Sequence, residues 1–331
     1  MTLDAAKTPT DQETTGFGHG KVILLGEHTV VYGHPAIAAG LPVGVHARVR
    51  PGRGRVVAPS WQLDLLMGDG SDVGTALEKL AEALGADPRA LDVALETEIP
   101  ARAGLGSSAA MAVAVARAMA PWVGAGNDTA AIDAAVAAAE TVFHGTPSGV
   151  DAAAASHGGV GVFSKGEGWS PANVRQPIKL CLGLSGRPRR TADLVASLAL
   201  LARRTPVARQ VIDHLGEISR AGLEALALGD IDSLGRLFDL AHGLLAGLRL
   251  STLELDKLVH GARASGALGA KLTGAGGGGA VIALAPSHRQ DVIDRWQSDG
   301  FSGLVASVAA EPARASAVPS APAPGTPAVI P

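Results

Sequence analysis

The sequence contains little cysteine, few aromatic residues and little net charge. Its 331 residues include one cysteine, Cys181, so no disulfide can form within the chain. The position of Cys181 inside an apolar run, residues 178–184, predicts a buried and unreactive thiol. Aromatic residues make up 3% of the chain, and the formal net charge is −3. Both values argue against nucleic-acid binding, which usually relies on a basic surface and on aromatic side chains that stack with bases.

Long apolar runs are also absent. The best candidate for a membrane span, residues 109–123, is interrupted by Arg117 and Pro121. It is also shorter than the roughly 18 apolar residues that a membrane helix needs. The first 15 residues are polar and lack the apolar centre of a signal peptide. We therefore expect a cytoplasmic protein that has neither a membrane nor a nucleic acid among its partners.

Hydrophobic residues account for 47% of the chain and charged residues for 18%, which is typical of a globular protein. The length suggests about two domains. We predict an N-terminal domain at 16–170, a C-terminal domain at 171–311 and a disordered Pro/Ala-rich tail at 312–331. The fold class is α/β (α+β). Strands are predicted at 21–25, 43–49, 91–99, 158–163, 270–273 and 280–284, and helices at 108–120, at 129–143 and at several places between 191 and 264.

A first glycine-rich segment, AGLGSSA at residues 103–109, follows a predicted strand and precedes a predicted helix. Gly104 and Gly106 permit positive φ and a close approach of backbone N–H groups to an anion. We expect Ser107 or Ser108 to cap the helix, whose N-terminus favours phosphate. A dinucleotide site would need a strand after this helix, where helix is predicted, and a Walker A loop would need a following Lys-Ser/Thr. Phosphate binding of another kind and a capped turn without a ligand remain as alternatives.

A second glycine-rich segment, KLTGAGGGG at residues 271–279, leads into a strand and not into a helix. Five glycines among six residues are costly to order, and a simple hairpin needs only about two loop residues. This favours a loop held close against another loop or against a phosphate. The alternative is a mobile linker between two strands.

A third segment, GKVILLGEHTVVYGHPA at residues 20–36, completes a pattern. With PARAGLGSSA at 100–109 and the glycine run at 271–279, it resembles the galactokinase, homoserine kinase, mevalonate kinase and phosphomevalonate kinase superfamily. The three motifs occur in the superfamily's order and span residues 17–285. GEHTVVYGHPAIA and HGTPSGVD (144–151) are similar to the mevalonate kinase branch. His19 departs from the pattern, because the superfamily usually has proline there.

The resemblance implies a two-domain small-molecule kinase fold with the active site between the domains. It also implies ATP as co-substrate and Mg²⁺ as cofactor. By this resemblance Asp151 and Lys21 are catalytic, while Ser108 and Glu140 are metal ligands. The nucleotide-binding residues are Gly104, Leu105, Gly106, Ser107, Ser108, Gly274, Ala275 and Gly276. The substrate-binding residues are Glu27, His28 and Thr191.

The activity that the resemblance implies is ATP-dependent phosphorylation of the C5 hydroxyl of mevalonate, giving 5-phosphomevalonate in isoprenoid biosynthesis. Phosphomevalonate kinase, or another small-alcohol kinase of the superfamily, is the alternative within the same class. A non-catalytic sensor that binds ATP or an isoprenoid is the alternative from another class. Mevalonate and ATP are the expected partners, and a homodimer is the oligomeric form to test.

Overall fold

A computed structural model describes residues 13–101, 103–126, 128–187 and 191–309 of the chain. Within these ranges the chain forms eleven strands and nine helices. The strands are β1 (Thr14–Leu25), β2 (Ala36–Pro51), β3 (Arg55–Ala58), β4 (Leu63–Leu66), β5 (Leu91–Thr97), β6 (Gly159–Ser164), β7 (Gly168–Pro171), β8 (Ile178–Leu184), β9 (Gly269–Thr273), β10 (Ala280–Leu284) and β11 (Ser302–Val308). The helices are α1 (Asp72–Leu84), α2 (Ser107–Met119), α3 (Thr129–His144), α4 (Val150–His157), α5 (Thr191–Arg204), α6 (Pro206–Leu228), α7 (Ile231–Gly247), α8 (Leu253–Ala264) and α9 (Arg289–Ser298).

The first sheet is built around the long strand β2. Strand β1 pairs antiparallel with β2 along nearly its whole length. Residues 36–40 of β2 pair with β6, and residues 45–51 pair with β5. The described strands of this sheet run in the order β4-β3-β5-β2-β6-β7, with β1 on β2. His19 lies within β1, and β2 has extra residues opposite the step from His19 to Lys21, so this departure bends the pairing without ending the strand.

The second sheet is antiparallel, with its described strands in the order β11-β8-β10-β9. Helices α7, α8 and α9 pack on it. Cys181 of β8 is buried as predicted, and burial raises the pKa of its thiol to about 11. The division predicted at residues 170/171 falls at the end of β7, between the strands of the two sheets. The tail predicted at 312–331 lies outside the described residues.

The α/β fold class and the predicted strands and helices are confirmed, with differences at the boundaries. β1 and β2 are longer than predicted because their glycine-rich parts, such as GFGHG, are weak strand formers that pairing with neighbours stabilises. Sequence analysis missed α1, although Leu77, Leu80 and Leu84 give it a buried face. It also missed α4 and α9 and the strands β3, β4, β7 and β11. In the described part of the chain, no helix has the length and apolar character required to cross a membrane.

Helix α2 lies directly against β1 because small residues face each other. A Cβ on Gly16 would lie 2.2 Å from the carbonyl oxygen of Ala114, and one on Gly18 would lie 2.1 Å from that of Ala110. Both distances are far below van der Waals contact, so only glycine fits at these two strand positions. This close packing brings the start of α2 beside Lys21 of β1.

We predict that Gly18→Ala destabilises the chain, because the new methyl group forces β1 away from α2. The expected loss is about 1–3 kcal/mol in the free energy of unfolding, measured by chemical denaturation. Gly243→Ala is the matched control, because Gly243 lies in α7 with nothing within 4 Å of the added carbon. It should be neutral or stabilising by up to about 1 kcal/mol. Equal stability of the two variants would contradict the close-packing argument.

Candidate active site

Lys21 and Asp151 form an ion pair where β1 meets α4. The Lys21 Nζ lies 2.8 Å from Asp151 Oδ1, and the two side chains are 1% and 26% exposed. Asp151 lies in the first turn of α4, which begins after Gly149 at φ 88°. A carboxylate is favoured at this end of a helix, and a buried ammonium requires a compensating charge. The predicted catalytic pair is therefore brought together, with the carboxylate partly accessible.

The first glycine segment wraps around the stem of Lys21. The backbone N–H of Lys21 donates to the carbonyl oxygen of Leu105 at 2.8 Å. A Cβ on Gly106 would lie 2.6 Å from the Lys21 Cγ. Gly104 and Gly106 have φ values of 82° and 75°, in agreement with the sequence prediction. The loop and the lysine thus position each other.

The prediction that Ser107 or Ser108 caps α2 is wrong. The N-cap residue is Gly106 in the left-handed region, and no side chain provides a capping hydrogen bond. The two serines occupy the first two helical positions, after the residue whose side chain would provide a cap. As a result the Ser108 hydroxyl is available to Glu140, and the backbone N–H groups of the first turn are available to an anion.

Glu140 of α3 is 2% exposed and lies near both Ser108 and Asp151. Burial, together with repulsion from Asp151, raises the pKa of Glu140 to about 7. A hydrogen bond from Ser108 and the charge of Lys21 act in the opposite direction. Its Oε1 is buried without a hydrogen-bond partner, while its Oε2 lies 3.7 Å from His144 Nε2. A buried carboxylate oxygen without a hydrogen-bond partner lowers the stability of the fold unless a bound ligand or ion interacts with it.

A cavity of about 420 Å³ opens beside this cluster. Lys21, Glu140 and Asp151 lie at its polar end. Its other wall is apolar and includes Val195, whose side chain is 39% exposed. The remaining lining residues are Ile23, Gly26, His28, Val30, Val31, Ala137, His144, Thr146, Pro147, Ser148, Gly149, Val150, Ala152, Ala196, Ala199, Gly274 and Ala275.

The second glycine segment lies on the same cavity and is packed against other loops, as predicted. A Cβ on Gly276 would lie 2.2 Å from the Leu250 carbonyl oxygen, and one on Gly278 would lie 2.8 Å from that of Arg187. The N–H of Gly277 donates to the same Leu250 oxygen at 2.8 Å. The mobile-linker alternative is therefore wrong, because neighbouring backbone leaves no room for side chains at these positions.

The predicted substrate-binding residues have different positions. His28 lines the cavity, has φ of 66°, and hydrogen-bonds through Nε2 to the carbonyl oxygen of Ala275 at 3.0 Å. Glu27 is 1% exposed, pairs with Lys271 and does not line the cavity. The prediction that Glu27 contacts substrate is not supported by this geometry. Thr191 begins α5, and its side chain lies outside the described part of the structure.

Sequence analysis missed two parts of the site. One is the apolar wall that α5 contributes to the cavity, formed by Val195, Ala196 and Ala199. The spacing of these residues predicts a helix but does not predict what the helix packs against. Lys271 stands inside a quoted motif, but its partner is 244 positions away in the chain. No local pattern predicts such a pairing.

The candidate metal site is small. Among the described residues, no group of three or more His, Cys, Asp or Glu side chains could hold a metal ion. Ser108 and Glu140 offer two oxygen atoms next to the first glycine segment. Mg²⁺ commonly binds through one or two protein ligands, with water and phosphate oxygens completing the shell. The residues present fit this ion. The observation that supports the fit is that Glu140 Oε1 is buried without a hydrogen-bond partner.

Comparison with known proteins agrees with the motifs. Two family models match the chain, GHMP kinases N terminal domain over residues 71–159 and GHMP kinases C terminal over residues 223–302. The mevalonate kinase of Aeropyrum pernix is 35% identical over 312 residues, covering 89% of this chain and 96% of that protein. The mevalonate kinase of Methanothermobacter thermautotrophicus is 34% identical over 284 residues, covering 82% and 90%.

Solved structures show the same similarity. The L. major mevalonate kinase in complex with R-mevalonate superposes with a TM-score of 0.82 at 27% identity, covering 93% of this chain and all of that one (100%). A Lactococcus lactis galactokinase complexed with galactose has a TM-score of 0.74 at 17% identity, covering 92% and 95%, and shares the fold. The chain belongs to the GHMP kinase family, and the two relatives from A. pernix and M. thermautotrophicus, which match it over most of its length, are mevalonate kinases.

Proposed function

We propose that the chain transfers the terminal phosphoryl group of ATP to the C5 hydroxyl of mevalonate, giving 5-phosphomevalonate in isoprenoid biosynthesis. The observation that carries this function is the Lys21–Asp151 pair at the polar end of the cavity. Relatives named mevalonate kinase match over nearly their full length, and the structure with TM-score 0.82 contains R-mevalonate. The activity makes the chain an ATP-dependent transferase.

Asp151 accepts a hydrogen bond from the attacking hydroxyl and receives its proton as the new O–P bond forms. Lys21 keeps this carboxylate in place and stabilises the negative charge that develops on the hydroxyl oxygen and on the phosphoryl group. The N-terminus of α2, with Gly104, Leu105, Gly106, Ser107 and Ser108, directs backbone N–H groups at the phosphates. Gly274 and Ala275 line the cavity, and together with Gly276 they complete the proposed nucleotide site.

Ser108 and Glu140 would hold Mg²⁺ at the phosphates. When bound, the ion supplies positive charge that neutralises the phosphate oxygens. The Ser108 hydroxyl and the Glu140 carboxylate are already adjacent, so these side chains need to move little when Mg²⁺ binds.

The lining of the cavity favours mevalonate over a phosphorylated acceptor. Of the described residues that line it, Lys21 is the only lysine or arginine, and Asp151 takes up its charge. An acceptor that carries a phosphate would need further cations. The apolar wall from Val30, Val31, Val195, Ala196 and Ala199 suits the methyl and methylene groups of mevalonate. His28 is placed to hydrogen-bond a polar group of the substrate, and Thr191 of α5 stays a proposed substrate residue.

Asp151→Asn tests the catalytic assignment. Because Asn cannot accept the proton, we expect kcat to fall by about 10²–10⁴-fold, while the affinity for ATP stays near that of the wild type. A coupled assay of ADP release measures turnover, and calorimetry with a non-hydrolysable ATP analogue measures affinity. Asp64→Asn is the matched control, because Asp64 pairs with Arg55 on an exposed strand away from the cavity. Wild-type turnover in Asp151→Asn would exclude the proposed role.

Glu140→Gln tests the metal site. The amide removes a charge that would bind Mg²⁺, so the Mg²⁺ concentration giving half-maximal activity should rise by about 10-fold or more. The measurement is a Mg²⁺ titration of activity at saturating mevalonate. A titration curve identical to that of the wild type would show that Glu140 is not a ligand.

Glu140→Gln should also change how stability depends on pH in the metal-free protein. The raised pKa means that the protonated form of Glu140 is favoured by folding. That contribution is present below about pH 4.5 and is lost as the pH rises through about 7. The variant does not lose this contribution. The difference in free energy of unfolding, variant minus wild type, should therefore be about 2–3 kcal/mol larger at pH 8 than at pH 5, which means that the variant gains stability relative to wild type as the pH rises. Chemical denaturation of both proteins without Mg²⁺ and ATP measures this difference. The same difference at pH 5 and pH 8 would contradict the raised pKa of Glu140.

A further inference from the structure

Two residues at the start of the second glycine segment, Thr273 and Ala275, are hydrogen-bonded to the segment that carries Lys21. The Thr273 hydroxyl accepts from the Ile23 N–H at 2.8 Å and donates to the Ile23 carbonyl oxygen at 2.9 Å. The Ala275 carbonyl oxygen accepts from His28 Nε2 at 3.0 Å. We call this set of contacts the glycine clamp.

The glycine clamp lies next to a buried ion pair. The Lys271 Nζ donates to Glu27 Oε1, and both side chains are fully buried (0% exposed). Burial lowers the pKa of Lys271 and raises the pKa of Glu27, and the attraction between the two charges opposes both changes. Lys271 also donates to the carbonyl oxygen of Leu272 at 2.7 Å and lies 5.9 Å from the ring centre of Phe238. Its ammonium is therefore well compensated, and the position of the Glu27 carboxylate is fixed.

Glu27 has no path to substrate. Its carboxylate is buried and does not line the cavity, although the next residue, His28, and Gly274 both line it. An acidic group in that position acts on the site only through what it holds. It holds Lys271, three residues before Gly274, and so sets where residues 274–275 lie relative to Lys21 and the phosphates.

We propose that Glu27 and Lys271 are positioning residues that hold Gly274 and Ala275 in place for phosphoryl transfer. The pair fixes the distance between the second glycine segment and the strand that carries Lys21. A loop with positive φ at Gly274, Gly276, Gly277 and Gly278 has many alternative conformations, so an external anchor is needed to keep one of them. This inference rests on the proposed kinase function.

The test compares two variants of the full chain. Glu27→Met/Lys271→Met removes both charges together with the hydrogen bond between them, and Glu27→Gln keeps an oxygen acceptor for Lys271. Replacing both partners of a buried ion pair by apolar groups often preserves stability, so the double variant should keep a thermal unfolding midpoint near wild type. Its kcat/KM for ATP should nevertheless fall by about 10–100-fold, because the loop loses its anchor. Glu27→Gln should retain more of the kcat/KM than the double variant.

Hydrogen exchange provides a readout that needs no activity. In the double variant the amides of residues 274–277 should exchange faster than in wild type. Asp239→Asn is the matched control, because Asp239 Oδ1 accepts from the Ala270 N–H at 2.9 Å at the opposite end of β9. This control should change neither the exchange at 274–277 nor the kcat/KM for ATP.

The outcomes separate the two proposals. Unchanged exchange at 274–277 in the double variant would overturn the glycine clamp as an anchor. Faster exchange together with a wild-type kcat/KM in the double variant would overturn the role of the glycine clamp in the reaction. A fall in kcat/KM in Asp239→Asn as large as that in the double variant would overturn it too. A change confined to the KM for mevalonate would indicate direct substrate contact by Glu27 and overturn positioning. Absence of mevalonate phosphorylation in the wild type would refute the proposed function, while the exchange result would still decide whether the anchor exists.

Discussion

The ammonium group of Lys21 is the charge on which the arrangement of the site depends. It is 1% exposed, so it is stable there only because Asp151 lies 2.8 Å away. Glycine at position 106 is required because the stem of this lysine occupies the space of a Cβ. Strand β1, helix α4 and the start of α2 are thus held by one buried cation. The same contacts that make its burial tolerable also place a carboxylate and the first glycine segment beside it.

The site carries polar groups that a stable core would avoid. The rest of the interior is almost entirely aliphatic, whereas Lys21, Glu27, Glu140 and Lys271 bring four ionisable side chains into its centre. Glu27 and Glu140 each retain one buried oxygen without a hydrogen-bond partner. In Glu140 this oxygen faces the space proposed for Mg²⁺. Such residues lower stability in exchange for chemistry, which is typical of active sites.

The sequence motifs predicted which residues form the candidate site better than they predicted the surroundings of those residues. The glycine positions, the choice of Lys21 and Asp151 and the packed second glycine segment followed from residue types and from the family resemblance. The serine cap was wrong, because Gly106 at positive φ provides the turn and leaves both serine hydroxyls inside the first helical turn. Glu27 lies next to His28 in the chain, yet the two side chains point into different environments, one into the interior and one into the cavity. Adjacent residues in a turn share no common face, so the motif could not distinguish them.

The sequence by itself determined the family, the fold class, several of the central strands and helices, and the glycines that permit close backbone approach. These depend on local residue type, on spacing within a motif and on periodicity. Only the tertiary structure decided which charges face each other, because Lys271 meets Glu27 across 244 positions and Lys21 meets Asp151 on a different helix. It also decided that Glu27 is buried against Lys271 and that His28 lines the cavity. Burial and charge pairing are properties of the packed chain, and no single segment contains them.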